Sequence, residues 1–143
     1  MKTAVVYFSR HHGNTKKLVD ALPEDVERLE AAGGEADLSA YDRIGFASGI
    51  YAGSFAKQVL DFAKMNLPEG KDVFLFATSA MKRNWHFNAI RKLCEEKKCR
   101  LLGEYICQGY NTFGPFKLVG GTAKGHPTKE EIDAFREFYD ALG

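Results

Sequence analysis

The sequence predicts an α/β domain: a doubly wound parallel sheet with helices on both faces. Three observations lead there. Short apolar runs alternate with stretches of helical periodicity along the chain. The run TAVVYF is continuously apolar, as a strand buried on both faces should be, and RIGFAS and KDVFLFATS are close to it. Five strand-like runs are joined mostly by helical stretches, and strands alternating with helices imply parallel pairing.

Composition agrees. The chain has 143 residues, 45% hydrophobic and 27% charged, which is enough apolar mass for one core in a single domain spanning 1–143. No run of about 18 apolar residues occurs, so no membrane span is expected. The first residues enter a strand pattern at once, which leaves no signal peptide in the reading. The three cysteines, Cys94, Cys99 and Cys107, are odd in number and lack zinc spacing, so reduced thiols and a cytoplasmic location are expected. A net charge of +1, with aromatics at core-periodic positions, argues against a nucleic-acid partner.

The elements follow in order. Thr3–Phe8 is the first strand. Thr15–Leu22 reads as a short helix stopped by Pro23, and Asp25–Leu29 as a second, weaker strand. Arg43–Ser48 is the third strand. Ser54 is placed to cap the next helix, in which Phe55, Val59, Phe62 and Ala63 recur at helical spacing. Lys71–Ser79 is the fourth strand. Asn84 to Lys98 reads as one helix with Phe87, Ile90 and Cys94 on a face, and Leu101–Cys107 is the last strand. Thr128 and Glu131 form a capping box that opens a final helix, with Ile132, Phe135, Tyr139 and Leu142 inward.

Such sheets bind ligands beyond the carboxyl ends of their strands, where the winding reverses. The segments of interest are therefore Ser9–Asn14, Gly49–Ser54, Ala80–Arg83 and Gly109–Pro127. The first, within YFSRHHGNTKK, ends at a helix start, where free N–H groups and the helix dipole favour a phosphate. Gly13 permits close approach or a positive φ; Asn14 and Thr15 add a cap and a hydroxyl. A plain strand–helix turn with a good cap fits the same residues. The dinucleotide pattern G-x-G-x-x-G and the P-loop pattern are both absent. So is a G-x-S-x-G elbow, and nothing points to hydrolysis.

The run YFSRHHGNT resembles the phosphate loop of flavodoxins, a hydroxyl-rich stretch ending in Gly-Asn-Thr after the first strand. The resemblance extends to chain length, strand order and the short connection EAAGGEADLSAYDRIGF. The segments CQGYNTFGP and GGTAKGHP are similar to those of short flavodoxin-like proteins. It implies sheet order 2-1-3-4-5, bound FMN and electron transfer. Flavodoxins are themselves an illustration of the binding rule just used, so it adds no separate support.

The implied FMN site takes Ser9, Arg10, His11, His12, Gly13, Asn14 and Thr15 around the phosphate. Arg10, His11 and His12 depart from the family's pattern by standing where hydroxyls are usual. The flavin ring would lie between Ile50, Tyr51, Ala52 and Gly53, Thr78, Ser79, Ala80 and Met81, and Gly109, Tyr110 and Asn111. Tyr51 is the stacking candidate. The resemblance also implies that the peptide at Ala52-Gly53 reorients on reduction, which a glycine eases. Met81 packs on the ring or fills a core gap. Trp85 and His86 are read as helix-start packing, outside the site. The His pair offers no further ligands at metal spacing.

Arg10, Lys16, Lys17, Lys82, Arg83, Lys117 and Lys124 all fall in or beside these segments. Flavodoxins are usually acidic there, so the reversed sign leads to the expectation of an acidic redox partner. The expected role is an FMN-binding electron carrier. Two alternatives stand beside it: a flavodoxin-fold NAD(P)H/quinone-type reductase using FMN, and a flavin-free interaction protein of the same fold.

Overall fold

The computed structural model describes residues 1–9, 13–108 and 126–143. The elements are β1 (Thr3–Phe8), α1 (Asn14–Asp20), β2 (Glu27–Glu30), β3 (Arg43–Tyr51), β4 (Ser54–Phe55), α2 (Lys57–Asn66), β5 (Asp72–Ser79), a 3-10 turn (Asn84–Phe87), α3 (Asn88–Glu96), β6 (Arg100–Gln108) and α4 (Lys129–Ala141). Five strands pair in parallel in the order β2-β1-β3-β5-β6, and the two-residue β4 pairs antiparallel with β3. Counting only the five parallel strands, this is the expected 2-1-3-4-5 order.

Parallel registry aligns the strand ends. Thr3 pairs with Arg43, Arg43 with Asp72, and Asp72 with Arg100. Phe8, Tyr51, Ser79 and Gln108 therefore leave the sheet along one edge. Alternation of side chains gives the sheet two apolar faces. One holds Val6, Ile44, Phe46, Val73 and Leu75 against Val59, Phe62 and Ala63 of α2 and Ile90 and Cys94 of α3. The other holds Val5, Ala47, Phe74 and Phe76 against Leu18 and Val19 of α1 and Phe135 and Tyr139 of α4.

Strand ends differ from expectation by up to three residues, and three further departures have a visible reason. Helix α1 ends at Asp20 rather than Leu22, because Arg28 takes the carbonyls of Val19, Leu22 and Val26 at 3.2, 2.7 and 2.8 Å and holds the chain in a turn. Ser54 does not cap α2. It belongs to β4, Ala56 occupies the N-cap position, and the Ala56 amide donates to Ser48 Oγ at 2.9 Å. The single helix expected from Asn84 to Lys98 is split into a 3-10 turn and α3. The capping box at Thr128 and Glu131 is present as expected.

Candidate functional site at the carboxyl edge

At the first crossing, Gly13 occupies the N-cap position of α1 with φ 62°, and none of the described residues lies within 4 Å of where a Cβ would stand. This left-handed geometry favours glycine and leaves the backbone approachable. Ser9 Oγ accepts from the Lys16 amide at 3.3 Å, drawing the two ends of the loop together. Asn14 and Thr15 are buried, and the Thr15 hydroxyl lies 3.0 Å from that of Thr78. The start of α1 is thus pinned to the end of β5. Arg10, His11 and His12 lie outside the described residues, as do Gly109, Tyr110 and Asn111.

The segment expected as a loop at Gly49–Ser54 is instead the tip of a hairpin. Strand β3 runs on through Ile50 and Tyr51, which pair with Phe55 and Ser54. Ala52 (φ 50°) and Gly53 (φ 80°) form the two-residue turn, both in the positive-φ region that type I′ turns require. Tyr51 turns back: its hydroxyl lies 3.0 Å from a Cβ placed on Gly49, and its ring meets Phe8 edge-on at 6.2 Å.

Beyond β5, Ser79 Oγ accepts from the Met81 amide at 3.3 Å, and the chain then enters the 3-10 turn. Here a cleft of about 250 Å³ opens, lined by Ile50, Gly53, Ser79, Ala80, Met81, Arg83, Trp85 and His86. Five of these residues belong to the FMN site expected from the sequence; Arg83 falls in the expected Ala80–Arg83 segment but not in that site, and Trp85 and His86 were read as lying outside it. The Trp85 ring covers the hairpin, so that a Cβ on Gly53 would come within 2.7 Å of it, yet Trp85 remains 54% exposed. His86 lies beneath, its ring 4.4 Å from that of Trp85, buried, with Nδ1 lacking a partner among the described residues. Burial, with help from Arg83, holds the imidazole below its ordinary pKa, so it is neutral at physiological pH. The sequence carried a signal for these residues, since the chain's one tryptophan follows a strand end by six positions.

The last crossing is clasped at its base by Glu131. Its carboxylate accepts from the amides of Thr128 (2.8 Å) and Gln108 (3.2 Å) and pairs with His126 Nδ1. Burial opposes its charge, but these donors outweigh it and hold the carboxyl below its usual range. Burial pushes the thiols of Cys94 and Cys107 up to about 12, and Cys94, Cys99 and Cys107 are all free of disulfides. Among the described residues no cluster of His, Cys, Asp or Glu is arranged to hold a metal, and no helix is long and apolar enough to cross a membrane.

A family model for the flavodoxin domain matches residues 4–107. The chain belongs to the flavodoxin domain family. An uncharacterized protein of Methanocaldococcus jannaschii is 35% identical over 149 residues, covering 99% of this chain and 98% of that one. Among solved structures, a flavodoxin from the domain Archaea superposes with a TM-score of 0.65 at 15% identity, covering 99% of this chain and 96% of that one. General stress protein 14 of Treponema denticola, solved in complex with FMN, gives 0.66 at 13% identity over 100% of both chains. At such identities the structural likeness shows the flavodoxin-like fold.

Proposed function

We propose that this flavodoxin-family chain binds FMN along the carboxyl edge of its sheet and serves as an electron carrier. The observation that supports the reading most is the cleft between the Ala52-Gly53 hairpin and the Ser79–His86 segment, within a family whose structural relatives include FMN complexes. The residues present suit that cofactor. A planar ring needs apolar walls and a few polar groups at its edge. Ile50, Ala80, Met81 and the exposed Trp85 supply the walls; Ser79, His86 and the hairpin backbone supply the polar groups. Gly13, left-handed at the start of α1 and with no described residue within 4 Å of its Cβ position, is where the phosphate end would lie.

FMN supplies the electron-accepting ring, and the protein holds, orients and shields it. In this reading Trp85 is the stacking face, while Tyr51 braces the hairpin from behind. His86, neutral and unpartnered at Nδ1, offers the ring's polar edge a hydrogen bond without adding charge. The test is an equilibrium titration of the apoprotein followed by flavin absorbance. One FMN should bind per chain, and riboflavin, which lacks the phosphate, should bind about tenfold more weakly or worse. Absence of FMN binding, or equal binding of both flavins, rejects the reading.

A further inference from the structure

We propose that the exposed surface of Met81, Lys82, Arg83 and Trp85 docks an acidic protein against the mouth of the cleft. The inference rests on the FMN reading for the partner's purpose, but its physical basis is separate. Met81 is 56% and Trp85 54% exposed, two of the largest exposed apolar side chains among the described residues, and they flank two exposed cations. Large exposed apolar groups beside arginine are the composition of interaction hot spots. Neither Lys82 nor Arg83 forms an ion pair among the described residues; Arg83 Nη1 donates only to the Lys82 carbonyl, at 2.9 Å.

The sign of the charge selects the partner. None of the 19 acidic residues falls within 9–17, 49–56, 79–88 or 109–127, the stretches at and beyond the carboxyl ends of β1, β3, β5 and β6 in sequence. Seven of the 20 lysines and arginines do. Lys16 is neutralised by Asp20 at 2.9 Å, but Lys82 and Arg83 have no such neighbour. The net charge is only +1, so the attraction comes from Lys82 and Arg83 and not from the molecule as a whole. Like charges facing this surface would be repelled, and opposite charges steered onto it at low salt.

The experiment compares two redox proteins of opposite charge as probes, an acidic plant-type ferredoxin and basic cytochrome c. Binding to the FMN-loaded protein and to the apoprotein is measured by calorimetry at about 20 mM and about 300 mM salt. The ferredoxin should bind at low salt, weaken about tenfold or more at high salt, and weaken about threefold to tenfold with Lys82→Glu. The same preference should appear in the apoprotein, because the patch does not require the cofactor. Lys82→Glu should leave FMN affinity unchanged. Equal or tighter binding of cytochrome c, no ferredoxin binding, or indifference of the ferredoxin complex to Lys82→Glu overturns the proposal. Failure of the FMN titration with an intact charge preference would reject the cofactor and retain the surface.

Discussion

Ala52 holds a φ of 50° at the tip of the hairpin, where its Cβ crowds the backbone. Left-handed backbone costs a non-glycine residue about 1–2 kcal/mol, and the type I′ turn fixes it there. Ala52→Gly should raise stability by about 0.5–1 kcal/mol after the greater freedom of unfolded glycine is subtracted, as read by urea denaturation. Gly53→Ala should act oppositely. Its φ of 80° strains any side chain, and the new methyl would meet the Trp85 ring at 2.7 Å. A loss of about 1 kcal/mol is expected, with a change in Trp85 emission as the exposed ring gives way. Unaltered emission would mean that Trp85 does not rest on the turn.

At the scale of elements, Glu131 joins the start of α4 to the end of β6 through the Thr128 and Gln108 amides. Its carboxyl is held below its ordinary pKa in the folded state, so the unfolded chain takes up the proton first as pH falls. The contribution is complete above the unfolded value and is lost as pH falls through the folded one. Glu131→Gln should cost about 1–2 kcal/mol near neutral pH. The gap from wild type should narrow in denaturation curves as pH falls below the ordinary carboxylate range. A gap that stays constant with pH would show that shape, not charge, makes the clasp. This element was legible in the sequence, because Thr128 and Glu131 carry their own local pattern. So was β1, whose apolar run TAVVYF has only one sensible conformation. The hairpin was not. Its turn reads Ala-Gly rather than Asn-Gly, which disguised it and left Ser54 to be taken for a helix cap. The split of the expected 84–98 helix was hidden for a related reason: 3-10 and α turns share local periodicity, and only tertiary packing of Phe87 and exposure of Trp85 separate them.

For the whole molecule, two packed faces hold the carboxyl edge in place. Their fit is tight at Gly45, where a Cβ would come within 2.4 Å of the fully buried Phe74 ring. Phe74 in turn stacks on Phe76 at 6.0 Å and meets Tyr139 at 5.6 Å. Gly45→Ala should therefore cost about 1–3 kcal/mol through displacement of the ring, measured as a lower denaturation midpoint with an unchanged slope. Sheet order was legible through family resemblance more than through any single residue, since strand pairing is a property of distant segments. The cleft is lined by residues of the β3–β4 hairpin and of the segment that follows β5, and Trp85 reports on it. The most direct measurement follows Trp85 emission, the protein's only tryptophan signal, while FMN is added to the apoprotein. Quenching should grow linearly and stop at one equivalent of FMN. Emission that stays constant while FMN binds, or FMN that does not bind, would contradict the proposed site.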